Sequence, residues 1–301
     1  MRLRYIEMFQ AMLQAESVTG AARLLNISQP AATKLLQQAE RQLGYPLFIR
    51  VMGRVRLTRE GEVLRPKIER IADELAELQQ LAVNLKPSAA EMLRVVSTPT
   101  LANTLIPNVV TRMRKTFRKV EINLFTQHTR EMLNSLLLHE CDVGLTLQQI
   151  EHPRIRCQLL SEGQVMVIAP TGHWNASDLA RPLSMSSLAG AKVVGLTLQD
   201  DLGRKINTRI RALSPPVKVS TWVQTYQVAR SLVASGQGVA MVDPFTAGAP
   251  TETSIQSRIL EPQIPVSLYA VHRIDSPLTT LQSAFLENVR DVAGQILSAE
   301  T

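Results

Sequence analysis

The chain lacks the features that mark several large protein classes. It has two cysteines in 301 residues, Cys141 and Cys157. They form neither a disulfide-rich framework nor a metal-type spacing, so a reduced chain without bound metal is expected. No positively charged segment leads into an apolar signal core, and no apolar run approaches the ~18 residues of a membrane helix. Export and membrane spanning are therefore not expected, and the expected location is the cytoplasm. Catalytic signatures are missing too. There is no G-x-S-x-G elbow, H-E-x-x-H helix, Walker phosphate loop or dinucleotide fingerprint. Neither an enzyme nor a cofactor is expected. No internal repeat or low-complexity segment appears.

What remains is a chain able to build real cores. Its length suits two or three domains, and 45% of its residues are hydrophobic, which argues against wholesale disorder. The net charge is +7, and its distribution carries the information. From Met1 to Thr58 the cations are Arg2, Arg4, Arg23, Lys34, Arg41, Arg50, Arg54 and Arg56. The anions are only Glu7, Glu16 and Glu40. Most of the positive excess thus falls on under a fifth of the chain, as the footprint of a nucleic-acid-binding unit would.

Within that region, Gly20 to Arg50 has a distinctive order. Ala21, Ala22, Leu24 and Leu25 give a short helix one apolar face, and Asn26-Ile27-Ser28 interrupts it. Ser28 is suited to cap a second helix. Pro30 is tolerated in the first turn, where its missing N–H has no intrahelical partner. Leu36, Ala39 and Leu43 repeat at helical spacing until Gly44 ends the run. Two helices around a three-residue turn form a helix-turn-helix. The second helix would expose Ser28, Gln29, Ala31, Thr33 and Lys34, side-chain types that read base edges and phosphates. Ile6, Phe9 and Leu13 share a face of a preceding helix that should pack on the pair. Arg50 to Leu57 reads as a small basic hairpin around Met52-Gly53.

This stretch resembles the winged helix-turn-helix of LysR-type transcriptional regulators. The resemblance rests on Ala21-Ala22, Leu24, Ser28-Gln29-Pro30-Ala31, Glu40, Leu43-Gly44, Pro46-Leu47-Phe48, Arg50, and Leu57-Thr58 followed by Gly61. Val18, Leu35, Ala39 and Ile49 depart from the family's usual residues. The resemblance continues more weakly over the rest of the chain. Within the family, Val242-Asp243-Pro244-Phe245 looks most like regulators of lysine biosynthesis and opine catabolism. The resemblance implies a bacterial regulator that binds double-stranded promoter DNA under the control of a small-molecule effector, with RNA polymerase as a further partner. Ser28, Gln29, Pro30, Ala31, Thr33 and Lys34 would face the major groove, and Arg50, Arg54 and Arg56 on the hairpin would hold the backbone or minor groove.

Thr58 should cap a long helix reaching about Leu85. Leu64, Ile68, Ile71, Leu75, Leu78, Ala82 and Leu85 follow a heptad seam, read as a dimerisation surface, with Pro66 expected to kink or delay the helix. A two-fold pair would present two recognition helices ~34 Å apart. The resemblance implies a tetramer on DNA, built as a dimer of dimers. The expected divisions are 1–58 for the winged helix-turn-helix, 59–87 for the linker helix and 88–301 for an effector domain. From Met92, strands alternate with helices, which implies a largely parallel sheet covered by helices. By resemblance this region is a two-lobed α/β domain of the periplasmic-binding-protein type. Lobe I would span about 91–163 and 266–301, and lobe II about 164–265.

Ligands of open α/β sheets bind beyond the carboxyl ends of strands, often at helix N-termini. Candidate effector contacts are therefore Ser97, Thr98, Thr100, Gln127, His128 and Thr129 on the first lobe, with Leu196, Thr197, Gln224, Thr225 and Asp243 on the second. An effector carboxylate at Ser97 to Thr100 and a cationic group at Asp243 would suit an amino acid or its derivative. Two alternatives within the family stand beside it: an aromatic or organic acid, and thiol redox sensing through Cys141 and Cys157. Core packing is the preferred reading of both thiols.

Overall fold

The computed structural model describes residues 2–51, 54–84, 92–197, 201–249 and 255–299. The chain divides into two compact units, Met1–Lys86 and Pro87–Thr301.

Unit 1 begins with α1 (Leu3–Ala15), α2 (Val18–Leu24) and α3 (Gln29–Leu43). The hairpin β1 (Phe48–Val51) and β2 (Arg54–Leu57) follows, then α4 (Arg59–Asn84). The helix ends follow from their residues. Ser17 caps α2 by accepting a hydrogen bond from the Gly20 N–H, and Ser28 caps α3 through the Ala31 N–H. Gly44 ends α3 at φ 86°, a backbone state that costs little only without a Cβ. Met8, Ala11, Met12, Ala21, Ala22 and Ala32 form one core where the three helices meet. Leu35, one of the departures from the family pattern, packs against this core with Phe48 and Val55. Ala39 is buried as well.

Glu40 has a role that its sequence position did not announce. Its Oε1 accepts from the backbone N–H groups of Leu47 at 2.8 Å and Phe48 at 3.3 Å. The end of α3 is thereby tied to the root of the hairpin. On the other side, the Thr58 hydroxyl donates to the Pro46 carbonyl and accepts from the Gly61 N–H, capping α4. A Cβ on Gly61 would lie 2.6 Å from the Leu47 carbonyl, so this close approach requires glycine.

The seam of α4 is divided. Ile68 is buried and Leu64 partly buried against Ile6, Phe9 and Leu47. These two positions are core of their own unit, which corrects their assignment to a free dimerisation face. Leu75 is partly buried. Ile71 and Leu78 are exposed at 43% and 60%. Leu85 lies outside the described residues. The helix runs on through Pro66.

In unit 2, the first lobe opens with β3 (Met92–Ser97), α5 (Pro99–Thr104), α6 (Ile106–Thr116), β4 (Glu121–Thr126), α7 (Thr129–Leu137), β5 (Val143–Thr146) and β6 (Ile155–Gln164). Between β3 and β4 the chain forms two helices, α5 and α6, divided at Leu105 before Pro107. The second lobe contains β7 (Met166–Pro170), α8 (Ala176–Leu179), β8 (Leu183–Ser184), β9 (Lys192–Leu196), α9 (Asp201–Arg211), β10 (Lys218–Val223), α10 (Tyr226–Ala234), β11 (Ala240–Val242), α11 (Pro244–Ala247) and β12 (Ile255–Glu261). The chain then returns through β13 (Pro265–Arg273) and ends in α12 (Thr280–Ala299).

The first-lobe sheet has the order β4-β3-β5-β13-β6. Its β3–β4 and β3–β5 pairs are parallel, but β13 runs antiparallel to both β5 and β6. The expectation of a largely parallel sheet therefore holds for only half of it. The physical reason is that β6 leaves for the second lobe and β13 returns from it, so the two lie side by side in opposite directions from Pro265↔Gln164 to Arg273↔Ile155. The second lobe combines the sheet β11-β7-β12-β8 with the parallel pair β9–β10, which a parallel bridge at Val193↔Val239 joins.

Each lobe has its own apolar core. Phe245 crosses between them. It follows β11 of the second lobe, yet is buried among Leu101, Leu105 and Phe285 of the first.

Replacing Glu40 with Ala should leave two partly buried N–H groups unpaired and cost unit 1 about 2 kcal/mol. Hydrogen exchange at the Leu47 and Phe48 amides checks this. They should exchange faster in the variant, and unchanged protection would refute the tie.

Candidate functional site

In unit 1, the start of α3 stands out from the surface. Ser28, Gln29, Pro30, Ala31 and Lys34 are exposed, and Thr33 is half-buried. The Gln29 amide donates to the Thr33 hydroxyl at 3.0 Å. That bond holds the amide along the exposed start of the helix. Arg56 is exposed on β2. Arg50 and Arg54 sit on the paired hairpin strands, but their side chains lie outside the described residues. The helix start, with a side-chain amide, a methyl and a cation, has the composition of a major-groove reading surface.

In unit 2, a cleft of about 580 Å³, part of it open to solvent, lies at the carboxyl ends of β3 and β5 and the start of α10. Six of the expected residues line it: Thr98, Thr100, His128, Thr129, Gln224 and Thr225. Pro99, Thr146, Leu147, Gln148, Asp201, Leu202 and Tyr226 complete the described lining. The helix starts around it differ in a telling way. On the second lobe, the Thr225 hydroxyl accepts from the Val228 N–H and caps α10. On the first lobe, Thr98 precedes α5 and His128 precedes α7, and neither side chain caps its helix. The Thr98 hydroxyl is buried without a hydrogen-bond partner. Free helix N–H groups and an unsatisfied hydroxyl thus face the same space. Such groups suit an anion.

Deeper in the cleft, Thr146 is fully buried. Its hydroxyl lies 3.3 Å from that of Thr129 and accepts from the Gln148 N–H. No lysine or arginine is among the described lining residues. The one carboxylate there is Asp201, at the start of α9, paired with Arg204.

Five of the expected residues lie elsewhere. Ser97 is buried at the end of β3, and its carbonyl accepts from the Gln127 N–H. The Gln127 side-chain amide turns away to donate to the Ser135 hydroxyl, which donates in turn to Glu140. Leu196 is buried in the second-lobe core, and Thr197 is not in the lining. Asp243 is the clearest correction. It is fully buried, caps α11, and accepts from both the N–H and the hydroxyl of Thr246, at 2.9 and 2.6 Å. Burial pushes its carboxyl up to about 6, against these hydrogen bonds that pull it down. Asp243 therefore does not meet an effector from this position; it orients the short helix that carries Phe245.

Asp201 and Tyr226 were missed because nothing in their local pattern marks a helix start as facing a cleft. Thr146 ends an apolar strand just as Ser97 does, and that parallel is the signal that would have found it.

The thiols are chemically quiet. Burial, helped by the nearby Asp142 and Glu140 charges, pushes Cys141 up to about 12, and burial also raises Cys157. Thiolate is the reactive form, so neither environment favours redox chemistry. Among the described residues no cluster of potential ligands could hold a metal ion, and no helix is long and apolar enough to cross a membrane.

An exposed helix start with groove-reading side-chain types in one unit and a cleft lined from both lobes in the other are the arrangement expected of a ligand-responsive transcription factor. Residues 3–62 match the family of bacterial regulatory helix-turn-helix proteins of the lysR type, and residues 87–294 match the LysR substrate binding domain. The chain belongs to the LysR family of DNA-binding transcriptional regulators, and unit 2 is its effector-binding domain. It is 29% identical over 289 residues to the HTH-type transcriptional regulator DgcR of a Pseudoalteromonas species, covering 96% of this chain and 99% of that one. It is 26% identical over 291 residues to the regulatory protein NocR of Agrobacterium fabrum, covering 94% and 93%. The full-length LysR-type regulator CbnR, solved with its target DNA, shares the fold at a TM-score of 0.59 and 18% identity, with 97% and 100% covered.

The Asp243 carboxyl gives a pH test. Its folded value of about 6 lies above the ~3.9 of an unfolded aspartate. The folded state therefore holds the proton more tightly, and protonation favours folding. Relative to Asp243→Asn, the wild type should lose stability, on the order of 2–3 kcal/mol, as pH rises from about 4 to about 6, and stay level above. Denaturant unfolding followed by Trp174 and Trp222 fluorescence reads this. Parallel curves for the two proteins would contradict it.

Proposed function

We propose that this regulator senses a small zwitterion of the amino-acid or opine type, bound in the cleft of unit 2. The observation that carries the reading is the cleft's charge inventory. Its first-lobe helix starts leave N–H groups and the Thr98 hydroxyl for a carboxylate. Its described lining offers no lysine or arginine, and its one carboxylate, Asp201, would exchange its pairing with Arg204 for an ammonium or guanidinium group of the ligand. Asp201 thus takes the part that the sequence pattern suggested for Asp243. An aromatic or organic acid would use the carboxylate seat and leave Asp201 without a partner from the ligand.

The effector acts by binding one arrangement of the lobes more tightly than another; equal affinity would shift nothing. That preference passes to the DNA-reading helix through an oligomer. Exposed Ile71 and Leu78 on α4 support a two-fold pairing of linker helices, and the family resemblance extends it to a tetramer. Gln29 and Thr33 read bases in the promoter, with Lys34 and the hairpin arginines on phosphates. The protein works in the cytoplasm with RNA polymerase as a further partner and catalyses no reaction of its own.

Calorimetry of the full chain with amino acids, opines and benzoate tests the effector class. An amino acid or opine should bind, and Asp201→Asn should weaken it at least tenfold. Benzoate binding, with the zwitterions silent, would overturn the reading.

The DNA roles separate by substitution. Gln29→Ala should cost ~1–3 kcal/mol on the specific site and relax preference at one base position. Lys34→Ala should weaken binding evenly across sequences and lower the salt slope by about one. Equal losses on specific and random duplexes for Gln29→Ala would contradict base reading.

A further inference from the structure

Unit 2 carries a dense patch of one charge that the effector cleft does not use. Residues 112–119 hold Arg112, Arg114, Lys115, Arg118 and Lys119 with no acidic residue. Outside that segment, unit 2 has 15 lysines and arginines against 17 aspartates and glutamates. Its whole positive excess therefore sits in the last turn of α6 and the short link to β4.

Two of the five cations build the feature. Arg114 donates to the Val120 carbonyl at 2.6 Å and closes the link, while Arg112 donates to Gln295 of α12 at 2.7 Å and pairs with Asp291 at 3.9 Å, so neither is counted in the free charge. Lys115, Arg118 and Lys119 are exposed and make no ion pair among the described residues. Favourable interaction with a helix C-terminus accounts for cations in the last turn, which covers Arg114 and Lys115. Arg118 and Lys119 lie beyond the helix, where that benefit has faded. Two like charges in sequence beyond the helix are the arrangement that a partner dense in negative charge favours.

The location suits a partner independent of the effector. β3 and β4 run parallel with Met92 opposite Glu121. The basic link thus lies at the amino ends of these strands, whereas the cleft lies at their carboxyl ends. Beside it, Asn108 and Thr111 of α6 line an open groove with Arg112 and Lys115. Amide, hydroxyl and cationic donors are the groups that hold phosphate oxygens.

We propose that this basic link is a second attachment to the DNA backbone, separate from the winged helix-turn-helix and blind to sequence. Duplex DNA, the polyanion this family binds, presents a charge every ~1.7 Å along its axis. The inference rests on the charge and placement of the link and is independent of the effector's identity.

The test measures binding of the full chain to a fluorescent random-sequence 60-base-pair duplex between ~50 and ~200 mM salt, a range in which phosphate contacts dominate. Lys115→Gln/Arg118→Gln/Lys119→Gln should lower the salt slope by about two to three per bound copy, at ~0.9 for each phosphate no longer neutralised. Its thermal unfolding midpoint and recognition helix should be unaffected. Lys34→Ala, measured alongside, calibrates the effect of removing a single cation. An unchanged slope in the triple variant, with Lys34→Ala lowering it, would overturn the proposal. So would an unchanged slope accompanied by abolished binding of poly-glutamate, which would assign the link to an acidic protein surface. Should the triple variant unfold, Arg118→Gln/Lys119→Gln, both beyond the helix, should lower the slope by about two, and no change would overturn the proposal equally.

Discussion

A helix begins with backbone N–H groups that have no partner inside it, and both functional surfaces of this protein depend on what satisfies them. At several helix starts a side chain supplies the acceptor: Ser17 for α2, Ser28 for α3, Thr225 for α10 and Asp243 for α11. None does at α1, α6 or α8, nor at the two first-lobe helices that open beside the cleft. Thr98 and His128 stand at the starts of α5 and α7 without capping them. The donors left over are the ones an effector would use. Ser28 shows the other side of the rule. Once it caps α3, the exposed residues behind it are held on a rigid helix, which positions a reading surface better than a loop would.

The same logic explains the place of Asp243 between the two lobes. The chain crosses between the two lobes at β6–β7 and β12–β13, and a device that bears on both lobes can influence their arrangement. Asp243 caps α11, and α11 delivers Phe245 from the second lobe into the first-lobe core. A buried carboxylate is costly without hydrogen bonds, and Thr246 provides two. Repacking at Phe245 offers a physical route from lobe arrangement to the rest of the domain. A ligand in the cleft would bias it by differential affinity alone.

Much of this was legible in the sequence because it is local. The turn between α2 and α3, the caps at Ser28 and Thr58, and the stop at Gly44 follow from residues within a few positions. What escaped is long-range. The antiparallel return of β13 depends on a partner strand about a hundred residues away. The inward turn of Leu64 and Ile68 depends on Ile6 and Phe9, and a heptad pattern reads the same whether its seam meets another helix or its own domain. Of the cleft, the hydroxyl-rich loops were visible as strand ends before helices. Asp243 was misplaced because an aspartate before proline looks alike as a cap and as a ligand contact. Only burial tells them apart.

The central claim is that the cleft and the reading helix form one linked system. Linkage is reciprocal: a ligand that changes DNA affinity by some factor must itself bind DNA-loaded protein with the same factor of change. The direct measurement is calorimetric titration of the proposed effector, an amino acid or opine, into the full chain, free and saturated with its promoter duplex. The two affinities should differ, by the factor that the ligand imposes on DNA binding. Equal ligand affinities in the two titrations would contradict the account.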